Sequence, residues 1–99
     1  MTNQTKYLPI GSVVILNDGE TPVMIVGRVL LLGKKQILWD YQAVVYPTGL
    51  EETLVYFNQG DIQEILHRGF EDATEEKAQA ELNDWIQNNA DQYTRGQTE

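Results

Sequence analysis

Residues 7–16 read YLPIGSVVIL, Tyr-Leu-Pro-Ile-Gly-Ser-Val-Val-Ile-Leu, and three readings of this stretch lead to three different proteins. A secretion signal fits badly. Only Lys6 precedes the apolar run, Pro9 and Gly11 break it, and Asn17-Asp18-Gly19-Glu20 stands where a small-residue cleavage site would be. A phosphate loop needs closely spaced glycines between a strand and a helix, so that backbone amides converge on the anion. Here Gly11 stands alone, no lysine follows it, and the next residues are β-branched. The third reading remains: Pro9 and Gly11 shape the approach, and residues 12–16 form the first strand of a small β-structure.

The rest of the chain must complete that structure within 99 residues, the size of one domain. Composition is ordinary for a globular protein, with 41% hydrophobic and 22% charged residues. Cysteine is absent, which excludes a disulfide framework and thiolate metal sites and fits a cytoplasmic location. The net charge of −8 is concentrated beyond residue 57, where ten Asp/Glu face three Lys/Arg. Nucleic-acid affinity comes mainly from cations that neutralise phosphates, so neither DNA, RNA nor an anionic membrane is an expected partner. The longest apolar run, 23–32, is interrupted by Gly27 and Arg28 and falls short of the ~20 residues of a membrane helix.

Outward from the first strand, Asn17-Asp18-Gly19 signals a turn, and 23–32 reads as a long central strand with a bulge or bend at Gly27. Gly33-Lys34-Lys35 is the next turn, followed by a third strand over 36–46. Tyr46-Pro47-Thr48-Gly49 suits a type I turn, and 52–57 reads as a fourth strand. Residues 58–62 suit a turn or a single 3₁₀ turn, and 64–70 a fifth strand. That order predicts a five-stranded antiparallel SH3-like barrel or meander, α+β in class and mainly β. The Asp-x-x-Glu spacing of Asp72 and Glu75 predicts a capping box opening a helix that runs to about residue 91. Ala78, Leu82, Trp85, Ile86 and Asn89 form its narrow packing face. Residues 1–6 and 95–99 are expected to be flexible tails.

Chemistry is sparse. His67 is the only histidine and Ser12 the only serine, and nothing in the spacing brings them together or gives His67 companions for a metal. The carboxylate pairs at 51–52, 71–72 and 75–76 are adjacent in sequence and diverge in space, as solvated faces do. No catalytic residue, metal site or cofactor is expected. Arg28 is the conspicuous polar residue, set inside the most apolar strand. A three-residue loop at 33–35 would place it opposite Asp40, giving a cross-strand ion pair. The same two residues with Trp39, Tyr41 and Tyr46 form the candidate partner-binding patch. Alternation assigns Trp39, Tyr41, Ala43 and Val45 to the core-facing side of the third strand.

Leu8-Pro9-Ile10-Gly11-Ser12-Val13-Val14, Met24-Ile25-Val26-Gly27-Arg28 and Trp39-Asp40-Tyr41 follow one another in a distinctive order. Tyr46-Pro47-Thr48-Gly49, Asn58-Gln59-Gly60-Asp61-Ile62 and Gly69-Phe70 continue it. From residue 7 to residue 70 the chain resembles a family of small proteins, mostly of Gram-positive bacteria, that carry a domain of unknown function. Genes of that family often lie among type VII secretion genes and their LXG-type toxins. The resemblance implies a non-enzymatic cytoplasmic accessory protein that binds a toxin or its targeting partner before export. An immunity protein is the rival reading and a regulatory or nucleic-acid-binding barrel the third. The Tyr-x-x-x-Asp/Glu signal associated with type VII substrates occurs at none of the five tyrosines.

Overall fold

The computed structural model describes residues 6–97. Five strands, β1 (Val13–Leu16), β2 (Val23–Leu32), β3 (Ile37–Val45), β4 (Val55–Phe57) and β5 (Ile62–His67), precede one helix, α1 (Ala73–Asn89). A 3₁₀ turn at Gln59–Asp61 separates the last two strands, and a second at Ala90–Gln92 follows the helix. All strand pairings are antiparallel, in the order β4-β3-β2-β1-β5. The first four strands form a meander, and β5 returns to pair with β1. Strands β4 and β5 are the two edges, so the sheet is open and not the closed barrel the strand order suggested.

The turns follow from local chemistry. Gly19 N–H donates to the Leu16 carbonyl at 3.0 Å with Asp18 at φ 62°, a conformation that short polar residues tolerate. The β2–β3 loop spans residues 33–36, one residue longer than expected, with Leu32 opposite Ile37. After β3 the expected type I turn is replaced: the Tyr46–Pro47 bond is cis, and Gly49 N–H donates to the Val45 carbonyl at 2.7 Å. The fourth strand is shorter than expected and only three residues long.

The core is built from Tyr7, Leu8, Val14, Val23, Ile25, Tyr41, Ala43 and Phe57, with Leu82 and Ile86 of α1 packed against it. The opening stretch therefore contributes twice. Tyr7, Leu8 and Pro9 are buried ahead of the first strand, and Val14 is buried within it. Of the four residues alternation assigns to the core side of β3, Tyr41 and Ala43 are buried and Trp39 and Val45 only half-buried, while Leu38, Asp40 and Val44 on the opposite side are also buried. In β2, Val26 forms a bulge beside Gly27, and Val29 adopts φ 49°. Positive φ is rare for a β-branched residue and breaks the strand's alternation. Arg28 and Val29, neighbours in sequence, thus both line a depression against Ala78, Leu82 and Trp85 of α1.

Helix α1 starts where expected. Asp72 is its N-cap and accepts from Glu75 N–H at 3.0 Å. The second half of the expected capping box is missing, because the Glu75 carboxylate is directed at Arg28. The expected apolar face is the half-buried one, and the one fully buried helix residue is Asn83. Its amide donates to the Gln79 carbonyl at 3.0 Å.

The tail differs most from expectation. Leu38 N–H donates to the Thr94 carbonyl, and Gly96 N–H donates to the Leu38 carbonyl, each at 2.8 Å. Residues 94–96 thereby lie parallel to the part of β3 that short β4 leaves uncovered. Residues 1–5 and 98–99, the rest of the expected tails, lie outside the described residues.

Candidate functional site

Two polar clusters hold the molecule together, and both use residues expected to bind a partner. In the first, the Arg28 guanidinium grips the Glu75 carboxylate with both nitrogens, at 2.6 and 2.9 Å. It also donates to the Leu8 carbonyl at 3.3 Å. The two side chains are only 9% and 11% exposed. Gln79 extends the cluster: its amide nitrogen donates to Glu75 at 2.8 Å and to the Tyr7 carbonyl, and its oxygen accepts from Tyr7 N–H at 2.9 Å. The Arg28 hydrogen bonds hold the Glu75 carboxyl below the usual carboxylate range.

The expected Arg28–Asp40 pairing does not form. The longer β2–β3 loop sets Arg28 opposite Tyr41 and moves Asp40 out of reach. Asp40 instead anchors the second cluster, accepting from Arg95 Nη1 at 2.5 Å and from Gln59 N–H at 2.9 Å. Asn58 bridges this cluster to the tail: its amide oxygen accepts from Asp40 N–H, and its amide nitrogen donates to the Gly96 carbonyl at 2.7 Å. The Tyr41 hydroxyl lies between the two clusters, accepting from Leu8 N–H at 2.8 Å and donating to Gln59 Oε1. Burial is the main cause that pushes its phenol up to about 12, and the Leu8 hydrogen bond opposes that rise.

The five expected partner-binding residues therefore do not share one surface. Tyr41 is in the core, Arg28 and Asp40 are consumed by internal ion pairs, and Trp39 is half-buried beside Tyr56. Tyr46 alone among them projects into solvent, at 52% exposure. Its backbone N–H is tied to the Pro22 carbonyl at 3.0 Å, which fixes the residue at the start of β2. There it borders an apolar depression of about 290 Å³ lined by Val13, Pro22, Tyr46, Leu66 and His67. Leu66 is itself 47% exposed, and Ile65 and Phe70 nearby in sequence are also exposed. The sequence signal for this surface lies in Tyr46 and in Ile65-Leu66, within the expected closing strand 64–70 that the structure places at Ile62–His67. Against β1, that strand carries two register shifts, which disturb its alternation and leave apolar side chains in water.

The Ser12 hydroxyl is buried and accepts from Gly69 N–H at 3.0 Å, holding the chain just after β5. Among the described residues there is no cluster of three or more His, Asp or Glu that could hold a metal ion. Among those residues, too, no helix is long and apolar enough to cross a membrane.

Neither the curated proteins nor the solved structures give a match to this chain. A family model does, over residues 7–78, which span the whole sheet and the start of α1 and include both Arg28 and Glu75. The chain thus belongs to the family described as a domain of unknown function, DUF4176.

Proposed function

We propose that this chain is a non-enzymatic protein-binding accessory factor. It acts in the cytoplasm as an adaptor or chaperone-like partner of a toxin exported through a type VII secretion locus. The observation that carries the reading is the apolar depression at Tyr46 and Leu66, a concave patch of large side chains left in water on a small acidic domain. Contiguous apolar surface left in water marks interaction sites and ligand grooves. The internal pairing of Arg28 with Glu75 adds support, since those two charges are spent on holding the fold. The strand order, with a 3₁₀ turn ahead of a last strand that returns beside the first, suits an SH3-like sheet. The toxin locus comes from the family resemblance.

Co-expression with the two halves of an LXG-type toxin, the partner class the family resemblance implies, tests the reading. An adaptor co-purifies with the N-terminal targeting half and leaves toxicity unchanged. Co-purification with the C-terminal toxic half, with rescue of growth, would establish an immunity protein instead. Binding to neither half rejects both.

A further inference from the structure

The tail's seat on β3 has the features of a recognition groove. Both polar backbone groups of Leu38 pair with the tail, as a strand-addition site pairs with an extended peptide. The Arg95 guanidinium reaches a buried carboxylate, Asp40, whose side chain is only 8% exposed while that of Arg95 is 45% exposed. Gly96 follows against the Trp39 ring, where an added Cβ would lie 2.2 Å from the ring carbons, so no other residue fits without displacement. Asn58 then reads the Gly96 carbonyl at 2.7 Å. Backbone pairing, a charge pocket and a glycine-only platform together specify Arg-Gly in extended conformation.

We propose that this groove is a binding site for an extended Arg-Gly segment of a partner protein, with the chain's own residues 94–96 as a displaceable resident. The groove is distinct from the Tyr46 depression, and the proposal does not depend on the toxin-locus reading. Two features make the resident exchangeable. Its ion pair is half in solvent on the arginine side, and only the 3₁₀ turn and Tyr93 connect it to α1. A tethered segment acts at an effective concentration of about millimolar, so a free peptide competes poorly until the tether's own contacts are weakened.

The test uses the full chain and a fluorescein-labelled, end-blocked pentapeptide Tyr-Thr-Arg-Gly-Gln, read by anisotropy. Gly96→Ala evicts the resident through its clash with Trp39, and Arg95→Ala removes the ion pair while leaving the glycine. Each variant that retains the wild-type circular dichroism spectrum should bind the peptide about tenfold or more tighter than the wild-type chain does. Replacing the peptide's arginine by glutamine, or its glycine by alanine, should abolish that gain. Folded variants that bind no tighter than wild type overturn the proposal, as does binding that ignores the arginine. Should Gly96→Ala fail to fold, Arg95→Ala decides the matter alone.

Discussion

At the scale of single residues, the Arg28–Glu75 pair is the most consequential contact. Removing one partner leaves the other charge buried and uncompensated, which costs about 3 kcal/mol or more. Arg28→Ala and Glu75→Gln should each lower the unfolding free energy by that order in urea titrations. The double variant Arg28→Ala/Glu75→Gln should lose much less than the two single losses added together. Strict additivity would show that the pair is not coupled. The pH dependence has a definite sign. Glu75 titrates lower in the folded chain than its ordinary value of 4.5, which the unfolded chain keeps, so its contribution is complete above that pH. It fades as pH falls through the folded value. The stability gap between wild type and Glu75→Gln should thus be widest at neutral pH and close in strong acid. Tyr41 acts at the other end of the scale. With its phenol raised from 10.0 to about 12, the folded state holds its proton longer than the unfolded state does. Tyr41 therefore contributes a loss of stability as pH rises between those two values, and Tyr41→Phe should remove that alkaline component. An identical alkaline decline in the variant would contradict this assignment.

At the scale of elements, α1 depends on its cap and on an interior that is partly polar. Asp72→Ala removes the acceptor for Glu75 N–H and should cost about 1 kcal/mol, visible as a lower urea midpoint with an unchanged slope. The helix start was legible because Asp-x-x-Glu spacing is a local signal. The inward roles of Gln79 and Asn83 were not legible, since polar residues inside a helix normally mark its wet face. What turns Gln79 inward is the buried Tyr7 backbone, whose N–H and carbonyl both need partners, and Gln79 supplies them. The central strand β2 was legible to the residue from its apolar run, but its pairing with β3 was not. One extra loop residue, Gln36 at φ 51°, shifts the register by one and separates Arg28 from Asp40. The seat of the tail is hidden from the sequence for a related reason. Arg95-Gly96 looks like a mobile end by composition, and only the gap beside β3 left by a three-residue β4 gives it a seat. Strand β5, open on one side with Ile65 and Leu66 exposed, would invite edge pairing if it were flat, and its two register shifts against β1 bend it away from that.

At the scale of the whole molecule, charge and surface point the same way. A net charge of −8 opposes phosphate backbones, so the full chain should not be retained on DNA or RNA even at about 0.05 M salt, where phosphate contacts are strongest. Salt-sensitive retention would favour the nucleic-acid reading instead. The strand count and order, the single helix and much of the core were legible in the sequence, because apolar periodicity and turn residues act locally. Open edges, two-sided burial of β3 and the Tyr46 depression were not, because they depend on where distant segments meet. The proposed function has the domain working through that depression. The measurement that decides this is calorimetric titration of the full chain with the N-terminal half of the proposed toxin partner, comparing wild type with Tyr46→Ala and Leu66→Asp. Both variants should keep the wild-type melting temperature and lose about tenfold or more in affinity. Wild-type affinity in both variants would contradict the account.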